Sequence, residues 1–387
     1  MNGIVSARRG MSLAAGMLLA VSSGASFAQS PVRIGFHAPL TGFAAADGKS
    51  ARLGAELAVE QVNASGGIGG RKLELVVYDD GAKPDQGVQL ANKLLAQDGV
   101  KIAISGSYSG PTRAAAPIYQ TAKVPYISAY AVHPDITRAG NYVFRTSFTG
   151  EVQGRAGAKL IGDLLGKKRV VVITLNNDFG QSLAAGFKSV AKDFGIQIVN
   201  EYTYGIKDRQ FGPMIAKVKG DKPDAIYASG YFFTAGPLVS QLRAAGVDAQ
   251  VVGQEGYDGQ KFIQIAGPAS EGVIITTSLD RDAKVAATAD FIKAFQSSKG
   301  QAVDMVAASG HTAVWVAAAA MRKAGADDPA KIRDAIAATD LVASTGRISF
   351  NALGEVRKSV QNQVVRDKAW HHHSVIDDAK LLAPPEK

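Results

Sequence analysis

Short runs of β-branched and aliphatic residues alternate with longer amphipathic stretches in this chain, and the same order of elements occurs twice. In the first half, strands are predicted at 32–38, 73–78, 102–105 and 125–129, with helices over 50–63, 85–97 and 111–122 between them. In the second half, strands are predicted at 169–175, 196–202, 225–228 and 250–253, with helices over 181–194, 211–219 and 234–245. The strands are apolar throughout and do not alternate with polar residues. That pattern calls for parallel sheets covered on both faces by the connecting helices. Two doubly wound α/β lobes are the economical reading. Each such lobe offers a ligand site at the carboxyl ends of its strands.

The remaining segments do not make a third domain. A strand at 273–277, helices over 286–296, 306–323 and 329–338, a strand and tight turn over 346–354 and a last strand at 360–365 must complete the two lobes. The expected division is 31–149 plus 279–355 for the first lobe and 150–278 plus 356–383 for the second. The chain then crosses between lobes more than once, which makes a multi-strand hinge beside an inter-lobe cleft.

The first 28 residues read as an export signal. Arg8 and Arg9 precede an uncharged apolar run from Met11 to Val21, and Ser26-Phe27-Ala28 supplies small residues at the two positions a signal peptidase reads. Cleavage is expected after Ala28. The apolar run falls short of the ~20 residues a bilayer span needs. The chain has no cysteine, which excludes disulfides, thiolate metal sites, a cysteine nucleophile and a lipid anchor at the cleavage site. A soluble periplasmic protein follows. The formal charge is +9, and loss of Arg8 and Arg9 with the signal leaves +7. Its Lys and Arg are scattered and carry no aromatic stacking pattern, so no nucleic-acid partner is expected.

Several segments together resemble the leucine/isoleucine/valine-binding protein family, the type I periplasmic clamps. They are Ile34-Gly35-Phe36 with Pro39-Leu40-Thr41-Gly42, the run Asn63 to Gly70, Gly106-Ser107-Tyr108-Ser109-Gly110, Asn177-Asp178-Phe179-Gly180, Gly253-Gln254-Glu255-Gly256, and the turn at 346–354. The resemblance covers the mature chain in order. It implies a two-lobed clamp that captures a small molecule, foremost a branched-chain or other hydrophobic amino acid, for an ABC permease. It implies no cofactor, no catalysis and a monomer. An aromatic or other organic carboxylate, an amide, or a sensory role on the same clamp are the alternatives.

The segment 107–112 follows a strand and opens a helix. Helix N-termini offer free N–H groups and partial positive charge to a carboxylate. Ser109, with Ser107 nearby, is therefore a candidate carboxylate ligand; read as structure alone, Ser109 is a helix cap. The resemblance places Tyr130 and Val132 where the family has a small residue and a threonine, so a threonine hydroxyl is missing here. It places Phe179 and Tyr231 on the second lobe's cleft wall, and Glu255 where a carboxylate pairs with the ligand's ammonium. Asp47, on the expected opening loop of the first lobe, either rims the cleft and selects a polar side chain or is a solvated acid. Asp79-Asp80 reads as a turn that bonds its own backbone. His371-His372-His373 reads as a solvated turn or strand end and not a metal site.

Overall fold

The computed structural model describes residues 1–3 and 30–386. Apart from residues 1–3, the expected export leader and the expected cleavage point after Ala28 lie outside the described residues. The first sheet contains β1 (Val32–Ala38), β2 (Leu73–Asp79), β3 (Ala103–Ser105), β4 (Tyr126–Ser128) and β5 (Val143–Arg145), in the order β2-β1-β3-β4-β5. All its pairings are parallel. The second sheet contains β6 (Arg169–Leu175), β7 (Gln197–Tyr204), β8 (Ala225–Ala228), β9 (Gln250–Gln254) and β10 (Ile274–Thr277). These run β7-β6-β8-β9-β10, the same order as the first sheet. The repeat expected from the sequence is thus a repeat of topology.

Two strands, β11 (Asp340–Ala343) and β12 (Gly346–Ser349), form a separate antiparallel ribbon. β13 (Val360–Arg366) and β14 (Ala369–Ile376) then extend the second sheet antiparallel beyond β10. The chain leaves the first sheet after β5, returns after β10 to pack helix Met305–Ala324 on helix Ala45–Ala64, and leaves again for β13. It therefore passes between the lobes three times.

Burial explains the sheet positions. In β6, Val170 to Leu175 are buried or nearly so, as a central parallel strand requires. β7 is the edge strand and is mostly exposed or half-buried. The two first-lobe helices meet at glycine: a Cβ on Gly54 would lie 1.9 Å from the Ala307 carbonyl oxygen, and one on Gly310 would lie 2.3 Å from that of Ala51. No side chain fits at either crossing, so the two helix backbones approach as closely as backbones can.

Three expectations need correction. The first helix begins at Ala45, five residues before the expected start. It grows out of a short 3-10 turn, Gly42–Ala44, with no side-chain cap, so the usual Ser/Thr/Asp signal is missing. Asp47 accordingly lies in a helix's first turn, not in a loop. His371 to His373 lie inside β14, an edge strand that follows the expected last one. Its polar composition hid it. A helix over Gly150–Lys159, capped by the Thr149 hydroxyl accepting from the Val152 N–H at 3.2 Å, also escaped the reading.

Among the described residues no helix is long and apolar enough to cross a membrane, and no group of three or more His, Cys, Asp or Glu is placed to hold a metal ion.

Candidate functional site

A narrow cavity lies between the lobes, lined by Asp47, Tyr108, Ser109, Tyr130, Ala131, Phe179, Tyr231, Glu255, Gly256, Met305 and Val306. Most of these stand just beyond strand carboxyl ends. Tyr108 and Ser109 follow β3, Tyr130 and Ala131 follow β4, Phe179 follows β6, Tyr231 follows β8, and Glu255 and Gly256 follow β9. Two doubly wound lobes therefore point the same functional edge at each other. A wider groove runs along the crossings and is lined by Asp280, Asp282, Lys284, Arg347, Arg357 and Lys358 among others. It is open and of mixed charge, whereas the inter-lobe cavity is walled by buried aromatic rings, the usual character of a small-molecule site.

The cleft is shut. Tyr108 of the first lobe stacks on Tyr231 of the second, with centroids 4.1 Å apart and planes 8° from parallel. Tyr231 also stacks on Phe179 at 4.8 Å. At the rim, Phe43 meets Phe233 edge to face at 5.2 Å, and Arg113 Nε lies 3.1 Å from Asp178 Oδ2. Beside the cavity, the Met305 N–H donates to Asp258 Oδ1 at 3.1 Å. Apart from the Tyr231–Phe179 stack, which lies within the second lobe, each of these contacts joins one lobe to the other.

Local structure fixes each lining residue. Helix Ser109–Ala122 starts at Ser109, and its cap position is Tyr108. Ser109 is thus not the cap. Its Oγ accepts from the Val132 N–H at 3.3 Å, which leaves the hydroxyl proton to donate into the cavity. The Tyr130 hydroxyl donates to the Gly106 carbonyl at 2.8 Å, so its ring is held as a wall. Asn177 Oδ1 accepts from the Gly180 N–H at 2.9 Å and caps helix Asp178–Val190, which sets Phe179. Thr234 Oγ1 accepts from the Tyr231 N–H at 3.1 Å and sets Tyr231 at the start of helix Phe232–Ala244. Gly256 must be glycine: a Cβ there would lie 2.2 Å from the Gly230 carbonyl oxygen and 3.1 Å from the Phe179 ring.

Glu255 is buried, and neither carboxylate oxygen has a hydrogen-bond partner within the protein. Burial pushes its carboxyl up to about 8, against the pull of Lys358. Lys358 is the other unusual group. Its ammonium is buried without a hydrogen-bond partner, and burial pulls it down to about 7, against the pull of Glu255. The two form no ion pair within 4.0 Å. A buried carboxylate with both oxygens unanswered is costly to the fold. It is the group in this cavity best suited to an ammonium.

Asp47 Oδ2 accepts from the Tyr108 hydroxyl at 2.6 Å. Burial pushes its carboxyl up to about 8, with Asp304 and Asp258 adding to the rise.

Six of the eight predicted site residues line the cavity: Asp47, Ser109, Tyr130, Phe179, Tyr231 and Glu255. Ser107 and Val132 do not. Ser107 is buried with its hydroxyl unpartnered, and Val132 is buried and acts through its N–H on Ser109. The sequence reading missed Tyr108, Ala131, Gly256, Met305 and Val306. Asp79 and Asp80 bond nearby backbone as expected, accepting from the Gly81 and Ala82 N–H groups at 2.9 and 2.8 Å.

Comparison with known proteins gives concordant results. A family model described as periplasmic binding protein matches residues 31–364. The leucine-, isoleucine-, valine-, threonine- and alanine-binding protein of Pseudomonas aeruginosa is 32% identical over 348 residues, covering 89% of this chain and 92% of that one. The Leu/Ile/Val-binding protein of Escherichia coli is 30% identical over 380 residues, covering 96% and 99%. The substrate-binding protein of a Streptococcus pneumoniae branched-chain amino acid transporter, solved with isoleucine, superposes with a TM-score of 0.85 at 28% identity, covering 89% and 99%. A solute-binding protein of a Rhodopseudomonas palustris ABC transporter, solved with benzoate, superposes with a TM-score of 0.82 at 25% identity, covering 90% and 98%.

Proposed function

Because the chain belongs to the periplasmic binding protein family, we propose that it captures an amino acid in the inter-lobe cavity and delivers it to an ABC permease. The observation that carries this reading is the buried Glu255, whose two oxygens find no partner in the protein. An α-ammonium there would satisfy them. The ligand's carboxylate would lie at the start of helix Ser109–Ala122, against the Ser109 hydroxyl. One lobe then takes the negative end and the other takes the positive end. A ligand favours closure only through contacts it makes in the closed state, and a zwitterion spanning Ser109 and Glu255 makes both. Tyr231 and Tyr108 close over it as one stack.

The lobes divide at 149/150, 278/279 and 355/356, and these three crossings serve as the hinge. The ordering of strands into two sheets supports that division. The protein is periplasmic. Export uses the leader at 1–28, with cleavage after Ala28; amino-terminal sequencing of the periplasmic protein should therefore begin at Gln29.

An aromatic carboxylate is the second reading. The aromatic walls at Tyr108, Tyr130, Phe179 and Tyr231, together with the benzoate complex of a structural relative, favour it. A thermal-shift panel on protein stripped of ligand by unfolding and refolding separates the two. Ligand at 100-fold its dissociation constant adds about 2.7 kcal/mol of stability. Amino acids should raise the midpoint and benzoate should not. A shift with benzoate alone would overturn the amino-acid reading.

A further inference from the structure

Three buried carboxylates lie close together where the lobes meet beside the cavity, Asp47 and Asp304 from the first lobe and Asp258 from the second, and they are not equally answered. Asp258 accepts from Thr277 Oγ1 at 2.9 Å, from the Met305 N–H at 3.1 Å and from the Arg281 guanidinium. Asp304 accepts from Ser50 Oγ at 2.6 Å and from the Ala307 N–H at 2.8 Å, at the start of a 20-residue helix. Asp47 has one side-chain partner, the Tyr108 phenol at 2.6 Å, and no cation. An ionised carboxylate has about four acceptor sites, so a single phenol leaves most of Asp47 unanswered. Of the three, Asp47 alone lines the cavity.

Met305 and Val306 line the same cavity from the first lobe, and Glu255 faces it from the other lobe with both oxygens unpartnered. The cavity thus presents two carboxylates from opposite walls. If only an aliphatic chain lay against Asp47, the carboxylate would be sealed in closed, dry surroundings with one donor. A buried polar group left that way costs more than the aliphatic contact returns.

Building on the amino-acid reading, we propose that Asp47 makes the side-chain end of the cavity selective for amino acids bearing a hydrogen-bond donor, a hydroxyl or carboxamide, over aliphatic ones of the same size. The amino acid's ammonium goes to Glu255 and its side-chain donor goes to Asp47. Tyr108 holds Asp47 in place and at the same time stacks on Tyr231 of the other lobe. A donor on the ligand therefore reports to the aromatic contact that closes the cleft. Tyr108 and Asp47 act together as the reader of the side chain.

Isothermal titration calorimetry on stripped full-length mature protein tests this with near-isosteric pairs: threonine against valine, and asparagine against leucine. At pH ~8.5, above the value of about 8 to which burial raises Asp47, threonine and asparagine should bind at least about tenfold tighter than valine and leucine, the worth of one hydrogen bond to a charged group. Asp47→Leu should reverse that preference, and Asp47→Asn should reduce it while keeping the fold, which serves as the control if the leucine variant does not fold. Valine and leucine binding as tightly as their partners, or a preference unchanged in Asp47→Asn and Asp47→Leu, would overturn the proposal. Binding of valine or leucine in preference would overturn it while leaving the amino-acid clamp intact. Failure of every amino acid to bind would overturn both.

Discussion

Arg145 with Glu355, and Lys358 with Glu255, are two acid–base pairs buried beside the lobe crossings, and they are built in opposite ways. Arg145 and Glu355 are 0% and 1% exposed. The guanidinium donates to Glu355 Oε2 at 2.9 Å and Oε1 at 3.0 Å, and to the carbonyls of Ala131 and His133. Glu355 also accepts from Thr137 Oγ1 and is framed by the turn at Asn351. Glu255 is buried and Lys358 is half-buried with its ammonium enclosed, yet neither charged group has a hydrogen-bond partner, and they stay more than 4.0 Å apart. The first pair is saturated and ties Ala131, which lines the cavity, to the last crossing. The second is unsaturated, and the proposed amino-acid ligand would supply Glu255 with its missing donor. On the proposed reading, buried charge in this fold is structural where its hydrogen bonds are complete and serves the ligand where they are not.

The contrast can be broken by mutation. The largest expected effect is on the saturated pair. Glu355→Gln or Arg145→Met leaves a buried charge alone and should cost about 3–5 kcal/mol of stability, read by urea unfolding. Glu255→Gln should do the reverse: the free clamp loses nothing in stability at pH 8 and above, while amino-acid affinity falls by about 100-fold or more. If Glu255→Gln unfolds the protein as readily as Glu355→Gln does, the two pairs are alike and the distinction fails.

A smaller effect is in pH. Glu255 is raised to about 8 from 4.5 and Asp47 to about 8 from 3.8. A carboxyl raised in the folded state gives stability that is full below the unfolded value and lost as pH climbs through the folded one. The free clamp should lose stability between about pH 4.5 and 8. Lys358 is lowered to about 7 from 10.5, so its contribution is present above 10.5 and lost as pH falls through 7. The two limbs give a minimum near pH 7–8 in a plot of unfolding free energy against pH. Glu255→Gln should flatten the acid limb and Lys358→Met the alkaline limb. A plot that neither variant changes would remove both groups from the account. The smallest effect is Lys358→Met at pH 7, expected to stabilise the free clamp by about 1 kcal/mol because an unpartnered buried ammonium is replaced by a thioether. A loss comparable to that of Arg145→Met would show that the pair is structural after all.

The same contrast divides what the sequence could and could not tell. Residues at strand ends were legible: Ser109, Phe179, Tyr231 and Glu255 each follow a strand that the apolar runs disclose, and the family resemblance supplied the roles of Phe179, Tyr231 and Glu255. Tyr108 was hidden because nothing local distinguishes a cap residue from a cleft wall. Met305 and Val306 reach the cavity only because helix Met305–Ala324 packs on helix Ala45–Ala64, through backbone contacts at Gly54 and Gly310. Asp304, which caps that helix, was the one local signal of its start. Asp47 was named, but its helix was begun too late because the true start has no capping side chain. Lys358 was invisible: lysine on a turn normally extends outward, and only the third crossing turns its ammonium inward toward Glu255.

The amino-acid clamp stands or falls on Glu255 receiving an ammonium. The decisive measurement is calorimetric titration of the stripped protein, and of Glu255→Gln, with the amino acid giving the largest thermal shift and with its des-amino carboxylic acid. The native protein should prefer the amino acid by about 100-fold or more and should release a proton at pH 7 as Glu255 ionises. Glu255→Gln should lose both the preference and the proton. Equal affinity of the native protein for the two ligands, or a preference that survives in Glu255→Gln, would contradict the assignment.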